Sequence, residues 1–251
     1  MDVVMADKNS GGFVDFLKTI IYAVAIALVV RTVAFEPFNI PSKSMLPTLE
    51  VGDYLFVSKY SYGYSRHSLP FSLPLIPGRI LSTDPERGDV AVFKTPSDNR
   101  TDFIKRIIGL PGDKIQMKQG RLHVNANLVP RKRIENYAET GENGRYRSVT
   151  RYEETLPTGR KHSVLEVQLD RGDLDNTGIY TVPKDHYFVM GDNRDNSQDS
   201  RVTSQVGFVP RENLVGRAEI LFFSTDGSAV WWNPVSWWTA LRGNRVFALI
   251  K

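Results

Sequence analysis

The chain has 251 residues, with 32 Lys plus Arg against 28 Asp plus Glu and a formal charge of +4. At 41% hydrophobic and 24% charged it can bury a core, which excludes bulk disorder, and its length suits one or two domains. The absence of cysteine excludes disulfides, thiolate metal sites and a cysteine nucleophile. The four histidines (His67, His123, His162, His186) have no metal-ligand spacing, so no metal and no cofactor is expected. The charge excess contains no long basic run. Arg131-Lys132-Arg133 reads as a solvated face, and no nucleic-acid partner is expected.

Residues 1–12 are small and polar and read as a disordered lead. From Phe13 to Phe35 the composition turns apolar, and Thr19 to Val30 holds no charge, glycine or proline. About 20 such residues form a helix long enough to cross ~30 Å of hydrocarbon. Asp15, Lys18 and Arg31 lie near its ends, where long basic side chains reach the interface. A cleaved targeting peptide fits less well, because the lead is not positively charged and the exit, Arg31 to Pro37, lacks a small-x-small site. The segment 13–35 is therefore expected to be a single transmembrane anchor.

Pro37 and Pro41 end that helix, and short strand-like runs follow. They are expected at 54–57, 89–93, 103–108, 164–169, 187–190 and 219–223. Ile115 and Met117 alternate with polar residues, and Gln119-Gly120 leads into Leu122 and Val124, a hairpin signal. No segment after the anchor sustains a 3.6-residue period. The fold class is mostly β, an N-terminal transmembrane helix followed by an antiparallel β catalytic domain over 36–124 and 179–230. Residues 125–178 are more polar and read as an inserted β subdomain, and Ser65–Pro85 as a long surface loop. All four tryptophans lie in 231–238, opening a Trp-rich C-terminal segment, 231–251. They suit closure of the core and the bilayer interface about equally.

Several catalytic patterns are absent: Gly-x-Ser-x-Gly, a Walker lysine and Ser-x-x-Lys. Ser97-Asp98-Asn99 reads as a turn. Three elements remain. Ser44, with Ser42 two residues before it, lies between Pro41 and Pro47 just past the anchor, although taken alone this reads as a serine-rich turn. Lys105 shares a strand face with Phe103 and Ile107. Among apolar neighbours a lysine either reaches water or is buried with a lowered pKa, able to act as a base. Gly191 to Arg201 is almost wholly polar directly after an apolar strand and reads as an ordered loop, without the spacing of a calcium-binding EF-hand.

Four motifs stand in one order: Ser-x-Ser-Met-x-Pro-Thr-Leu from Ser42, Arg87-Gly88-Asp89-Val90, Lys105-Arg106-x-x-Gly-Leu-Pro-Gly-Asp, and Gly-Asp-Asn-Arg-Asp-Asn-Ser-x-Asp-Ser-Arg from Gly191. With the preceding anchor, this arrangement resembles the bacterial type I signal peptidases (leader peptidases), membrane serine endopeptidases with a Ser/Lys dyad. The likeness runs from about residue 15 to about 220, the polar insert excepted.

The resemblance implies Ser44 as nucleophile and Lys105 as general base. It also implies the Ser42 hydroxyl, with the Ser44 backbone N–H, as oxyanion donor, and Ser197 as the group orienting the lysine. Asp199 and Arg201 are implied as a supporting ion pair. Phe38, Ile40, Met45 and Ile104 flank these residues and are expected to wall shallow pockets for small side chains. Lys43 is read as solvated, though a cation so near would also lower the pKa of Lys105. The implied reaction is removal of signal peptides from exported preproteins after Ala-x-Ala sites, through an acyl-enzyme. The implied partners are preprotein substrates and membrane lipid, near the secretion translocon. The implied location is the cytoplasmic (inner) membrane, single-pass, N-terminus inside and catalytic domain on the outer, periplasmic face. Two alternatives stay open: a peptidase dedicated to one secretion or pilus system, and a membrane-tethered peptide-binding domain that does not cut.

Overall fold

The computed structural model describes residues 12–140, 145–230 and 232–250. The disordered lead read over 1–12 falls, Gly12 apart, outside these residues, as do Gly141, Gly144 and Trp231.

The apolar run forms an α-helix, Gly12–Val33, of 22 residues with no buried side chain. At 1.5 Å per residue it is ~33 Å long, enough for a bilayer core. Its C-terminal end is tied to the body. The Val33 carbonyl accepts from the Tyr64 hydroxyl at 2.7 Å, and the Ala34 carbonyl from the Lys59 N–H at 3.0 Å. Glu36 takes Arg31 at 2.9 Å and Lys59 at 2.9 Å, so the helix exit carries its own compensated charges.

Seven antiparallel strands make the main sheet, in the spatial order Phe35–Asn39, Asp53–Ser58, Leu214–Ser224, Val90–Lys94, Asp102–Gly109, His186–Met190 and Val209–Pro210. Each run read from the sequence falls at least partly in a strand, although the run at 164–169 leaves its strand, Lys161–Glu166, after Glu166, and the last run became longer. Leu214–Ser224 begins five residues before the apolar run at 219, because an inner position between two strands favours pairing along its whole length. The sheet buries apolar side chains on both sides. Leu49, Leu55, Val57 and Val215 belong to one cluster, and Phe93, Ile107, Tyr187 and Val189 to another.

The expected hairpin forms between Lys114–Lys118 and Arg121–Val124, with positive φ at both Gln119 and Gly120. That handedness matches the strand twist in a two-residue turn. Between 125 and 178 a separate sheet forms, in which Tyr146–Thr155 pairs with Lys161–Glu166 on one edge and with Arg131–Arg133 and Tyr137–Thr140 on the other.

Two regions differ from the sequence reading. Ser65–Pro85 is partly built structure: two 3₁₀ turns, Arg66–Ser68 and Pro70–Ser72, and a pairing of Tyr64–Ser65 with Arg79–Ile80. The cause is Arg79, which donates to the carbonyls of Tyr62, Gly63, Glu212 and Leu214, a tertiary anchor invisible in composition. The Trp-rich segment contains a helix, Pro234–Ala240, capped by the Asn233 side chain and too short to register as a period. It does not close the core: Trp232, Trp237 and Trp238 are 69%, 55% and 80% exposed, while Ala248 and Ile250 pack on the cluster of Leu49 and Leu55.

The inner strand Asp102–Gly109 is joined to the polar loop after Met190 by a buried ion pair. Arg106 donates to both Asp192 oxygens, at 2.8 and 2.6 Å, and Asp192 also accepts from the Thr48 hydroxyl at 2.5 Å. Burial alone would raise the Asp192 carboxyl, but the guanidinium holds it below the usual carboxylate range. Removing one partner leaves a buried charge without compensation. Arg106→Leu should therefore lower stability by about 3–5 kcal/mol at neutral pH, measured by denaturant melts in detergent. A loss under 1 kcal/mol would mean the pair is not buried in solution.

Candidate active site

Lys105 sits on the inner strand, opposite Ala91 on one neighbour and one position beyond the Arg106–Met190 pairing on the other. The small residue opposite thus leaves a long side chain room within the protein. Its amine lies 5.2 Å from the Phe103 ring centre, on the face expected from strand alternation, and only 4% of the residue is exposed. Nζ lies 2.8 Å from Ser44 Oγ and donates to the Ile104 carbonyl at 2.9 Å.

Burial lowers the Lys105 pKa from 10.5 to about 8, against the opposing pull of Asp199 and Asp192. Desolvation is the cause, and no neighbouring cation contributes to the shift. Lys43 therefore does not act as the charge that activates Lys105. Nor is it simply solvated, since its amine pairs with Glu139 of the insert at 3.2 Å.

The Ser44 turn is held from the polar loop. Asn193 donates its backbone N–H to the Ser44 carbonyl at 3.1 Å and its side-chain amide to the Lys43 carbonyl at 3.0 Å. Ser42 Oγ lies 3.3 Å from Ser44 Oγ, so both hydroxyls point to one place. Asp199 accepts from the Gly191 N–H at 3.0 Å and pairs with Arg201 at 2.8 Å, both wholly within the protein. Burial works against ionisation of Asp199, and Arg201 overcomes it and keeps the carboxyl below its ordinary range.

A groove of about 740 Å³ runs over the dyad, lined among others by Phe38, Ile40, Ile104, Leu174 and Val202. Ser42, Ser44, Lys105 and Ser197 open onto it as well. Met45, expected as a pocket wall, does not line it. It is fully buried with Ile40, Leu49 and Leu55, because the turn that directs Ser44 outward directs the next side chain into the core. Ser197 reaches the groove, but its hydroxyl is buried and makes no hydrogen bond to Lys105; it acts on the Asp199 carboxyl and helps keep that group ionised. Asp199 and Arg201 stand behind the groove rather than in it.

Asn193 and the Arg106–Asp192–Thr48 link were not singled out as site residues. Their signal was present in the unusually polar loop from Gly191, but which of its amides reaches Ser44 depends on the fold.

The family profile described as "Signal peptidase, peptidase S26" matches residues 13–223. The chain belongs to this family. It is accordingly a serine peptidase, and the apolar N-terminal helix makes it membrane-anchored. Signal peptidase I of Rickettsia typhi is 42% identical over 220 residues, covering 84% of this chain and 80% of that protein. Signal peptidase I of Rickettsia canadensis is 40% identical over 248 residues, covering 92% and 91%. A crystal structure of a signal peptidase I from Enterococcus faecalis V583 is 26% identical, covers 54% of this chain and 97% of that one, and superposes with a TM-score of 0.31.

Within this signal peptidase family member, Gly191 packs directly against the Ser44 turn and Ser197. A Cβ there would lie 2.3 Å from Ser197 Oγ and 2.5 Å from the Ser44 carbonyl oxygen. Gly191→Ala should cost about 1–3 kcal/mol through overpacking and push Ser44 out of line. Peptidase activity is expected to fall at least tenfold while the circular dichroism stays β-rich. Wild-type activity in the variant would show that the Ser44 turn is not held against this loop.

Proposed function

We propose that this chain removes N-terminal signal peptides from exported preproteins, with Ser44 as nucleophile and neutral Lys105 as general base. The observation that carries the reading is the 2.8 Å approach of the Lys105 amine to Ser44 Oγ inside a site dry enough to lower the amine to about 8. A serine hydroxyl needs a base to react near neutral pH, and a lysine can serve only when unprotonated.

Neutral Lys105 takes the Ser44 proton as Oγ attacks the scissile carbonyl. The Ser44 backbone N–H and the Ser42 hydroxyl receive the oxyanion, and the 3.3 Å separation of the two hydroxyls supports that role for Ser42. Lys105 then returns the proton to the leaving amine, and a water deprotonated by the same lysine hydrolyses the acyl-enzyme. Ser197 orients the lysine once substrate closes the site, while Asp199 with Arg201 stiffens the loop that carries it. Phe38, Ile40 and Ile104 form the apolar walls that accept small side chains and exclude large ones, which matches Ala-x-Ala sites.

A signal peptide's cleavage site emerges on the outer side of the cytoplasmic membrane. The catalytic body belongs on that face, with the N-terminus inside, lipid around the helix and the translocon nearby.

A purified preprotein with an Ala-x-Ala site, incubated in detergent, should be cut after the second alanine by the wild type and left intact by Ser44→Ala. Equal cutting by both would remove Ser44 from the mechanism. Lys105→Arg should lose at least about a hundredfold in rate, since a guanidinium stays protonated. Ser42→Ala should lose about 10²–10³-fold in kcat as the oxyanion donor goes. Because the active form is the unprotonated amine, the rate should rise with pH. Roughly a tenth of Lys105 is neutral at pH 7 and roughly nine-tenths at pH 9 for a pKa of about 8. A rate that is flat between pH 6.5 and 9 would mean another base.

A further inference from the structure

The segment 167–178 follows the strand Lys161–Glu166 and returns to Tyr180–Thr181, and its Leu174 lines the groove over the dyad. It approaches the turn Arg194–Asn196, which precedes Ser197. There one carboxylate oxygen each from Glu166, Asp175 and Asp195 lie within 4.8 Å of one another. Glu166 is 1% exposed and Asp175 is wholly buried.

Most donors near this cluster are already committed. Asp195 Oδ2 accepts from the backbone N–H groups of Val167 and Gln168 at 2.6 and 2.7 Å. Asp175 Oδ2 accepts from the Gly172 N–H at 2.5 Å. Arg131 gives both close contacts of its Nη2 to Asp170, at 2.8 Å, and only a long 3.3 Å contact to Glu166 Oε1. Arg194 is paired with Glu154 and Arg201 with Asp199, although Arg194 Nε and Arg201 Nη1 are buried with no acceptor among the described residues. Glu166 Oε2 and Asp175 Oδ1 remain, both buried and with no donor among the described residues.

Two buried carboxylate oxygens without a donor, in residues clustered with a third carboxylate, are a costly arrangement unless a cation or a shared proton joins them. Burial accordingly pushes Glu166 up to about 8 and raises Asp175. An all-oxygen set selects a hard cation. Calcium takes about six to eight oxygens in flexible geometry, whereas magnesium sheds its waters reluctantly and is seldom held in a cage built wholly of protein oxygens, so three carboxylates, two of them buried, suit calcium better.

We propose that Glu166, Asp175 and Asp195 form a binding site for a hard divalent cation of the calcium class, which clamps the 167–178 segment onto the turn preceding Ser197. The site borders the groove without touching the dyad. It supplies no step of peptide cleavage and fastens one wall of the groove to the loop that carries Ser197.

The test uses the full chain in detergent after chelator treatment, with stability and binding as readouts instead of peptidase activity. Equilibrium dialysis against 1 mM calcium should give about one ion per chain for the wild type and none for Asp175→Asn or Glu166→Gln. Calcium should raise the wild-type melting temperature by a few degrees, more than magnesium at the same concentration, and excess chelator should reverse the rise. With chelator present, Asp175→Asn or Glu166→Gln should melt at or above the wild type, because each puts a neutral amide in place of a buried acid whose ionised form burial disfavours. The second variant serves if the first does not fold. No calcium bound by the wild type, or equal binding by wild type and a folded variant, would overturn the site. A magnesium shift as large as that of calcium would overturn the assignment to the calcium class.

Discussion

An amine kept out of water beside a hydroxyl is the constraint on which the rest of this protein depends. A lysine in solvent is protonated and useless as a base, so the base role proposed for Lys105 requires that it be buried without a carboxylate partner that would hold its proton. An inner strand meets the first requirement. Asp102–Gly109 has both backbone edges paired, and the small residue Ala91 opposite Lys105 leaves its side chain room within the protein. The second requirement is met by occupying the nearby carboxylates elsewhere. Asp192 and Asp199, the two acids whose charges act on Lys105, are claimed by Arg106 and Arg201. Each arginine neutralises an acid that would otherwise return the lysine to its ordinary pKa.

The same ion pairs do mechanical work. Arg106 ties the lysine strand to the polar loop through Asp192, and Asp192 reaches the end of the serine turn through Thr48. Asn193, next in the loop, grips the carbonyls of Lys43 and Ser44. Ser44, Lys105 and the loop behind them therefore lie on three segments distant in sequence that are tied into one unit. A buried salt bridge adds little net stability over a hydrophobic replacement, but its geometry is directional, and direction is what a 2.8 Å contact between two side chains requires.

The insert enters this unit from the side. Glu154 on Tyr146–Thr155 takes the Arg194 guanidinium with two hydrogen bonds, and Glu139 takes Lys43. Both contacts land on residues adjacent to the catalytic segments, so the second sheet braces the loop and the serine turn alike. That also removes Lys43 from any part in lowering Lys105, leaving desolvation to carry the shift.

By itself the sequence determined what is local. The apolar run from Phe13 specifies a spanning helix because hydrophobicity and length suffice for that. The alternating runs specify strands, and Gln119-Gly120 a tight hairpin turn, because these patterns act over a few residues. Ser44 and Lys105 were legible through long motifs in fixed order. Only the tertiary structure decided what depends on distance in space. Met45 lies in the core instead of a pocket because the turn that turns Ser44 outward turns its neighbour in. Arg79 builds structure into an apparent loop by reaching carbonyls up to 135 residues away. Trp232, Trp237 and Trp238 stand on the surface while Ala248 and Ile250 pack on the core, which decides against the core-closing one of their two readings. Donor counting around Glu166, Asp175 and Asp195 likewise exists only once the chain has folded, since no spacing in the sequence states which oxygens are left without a partner.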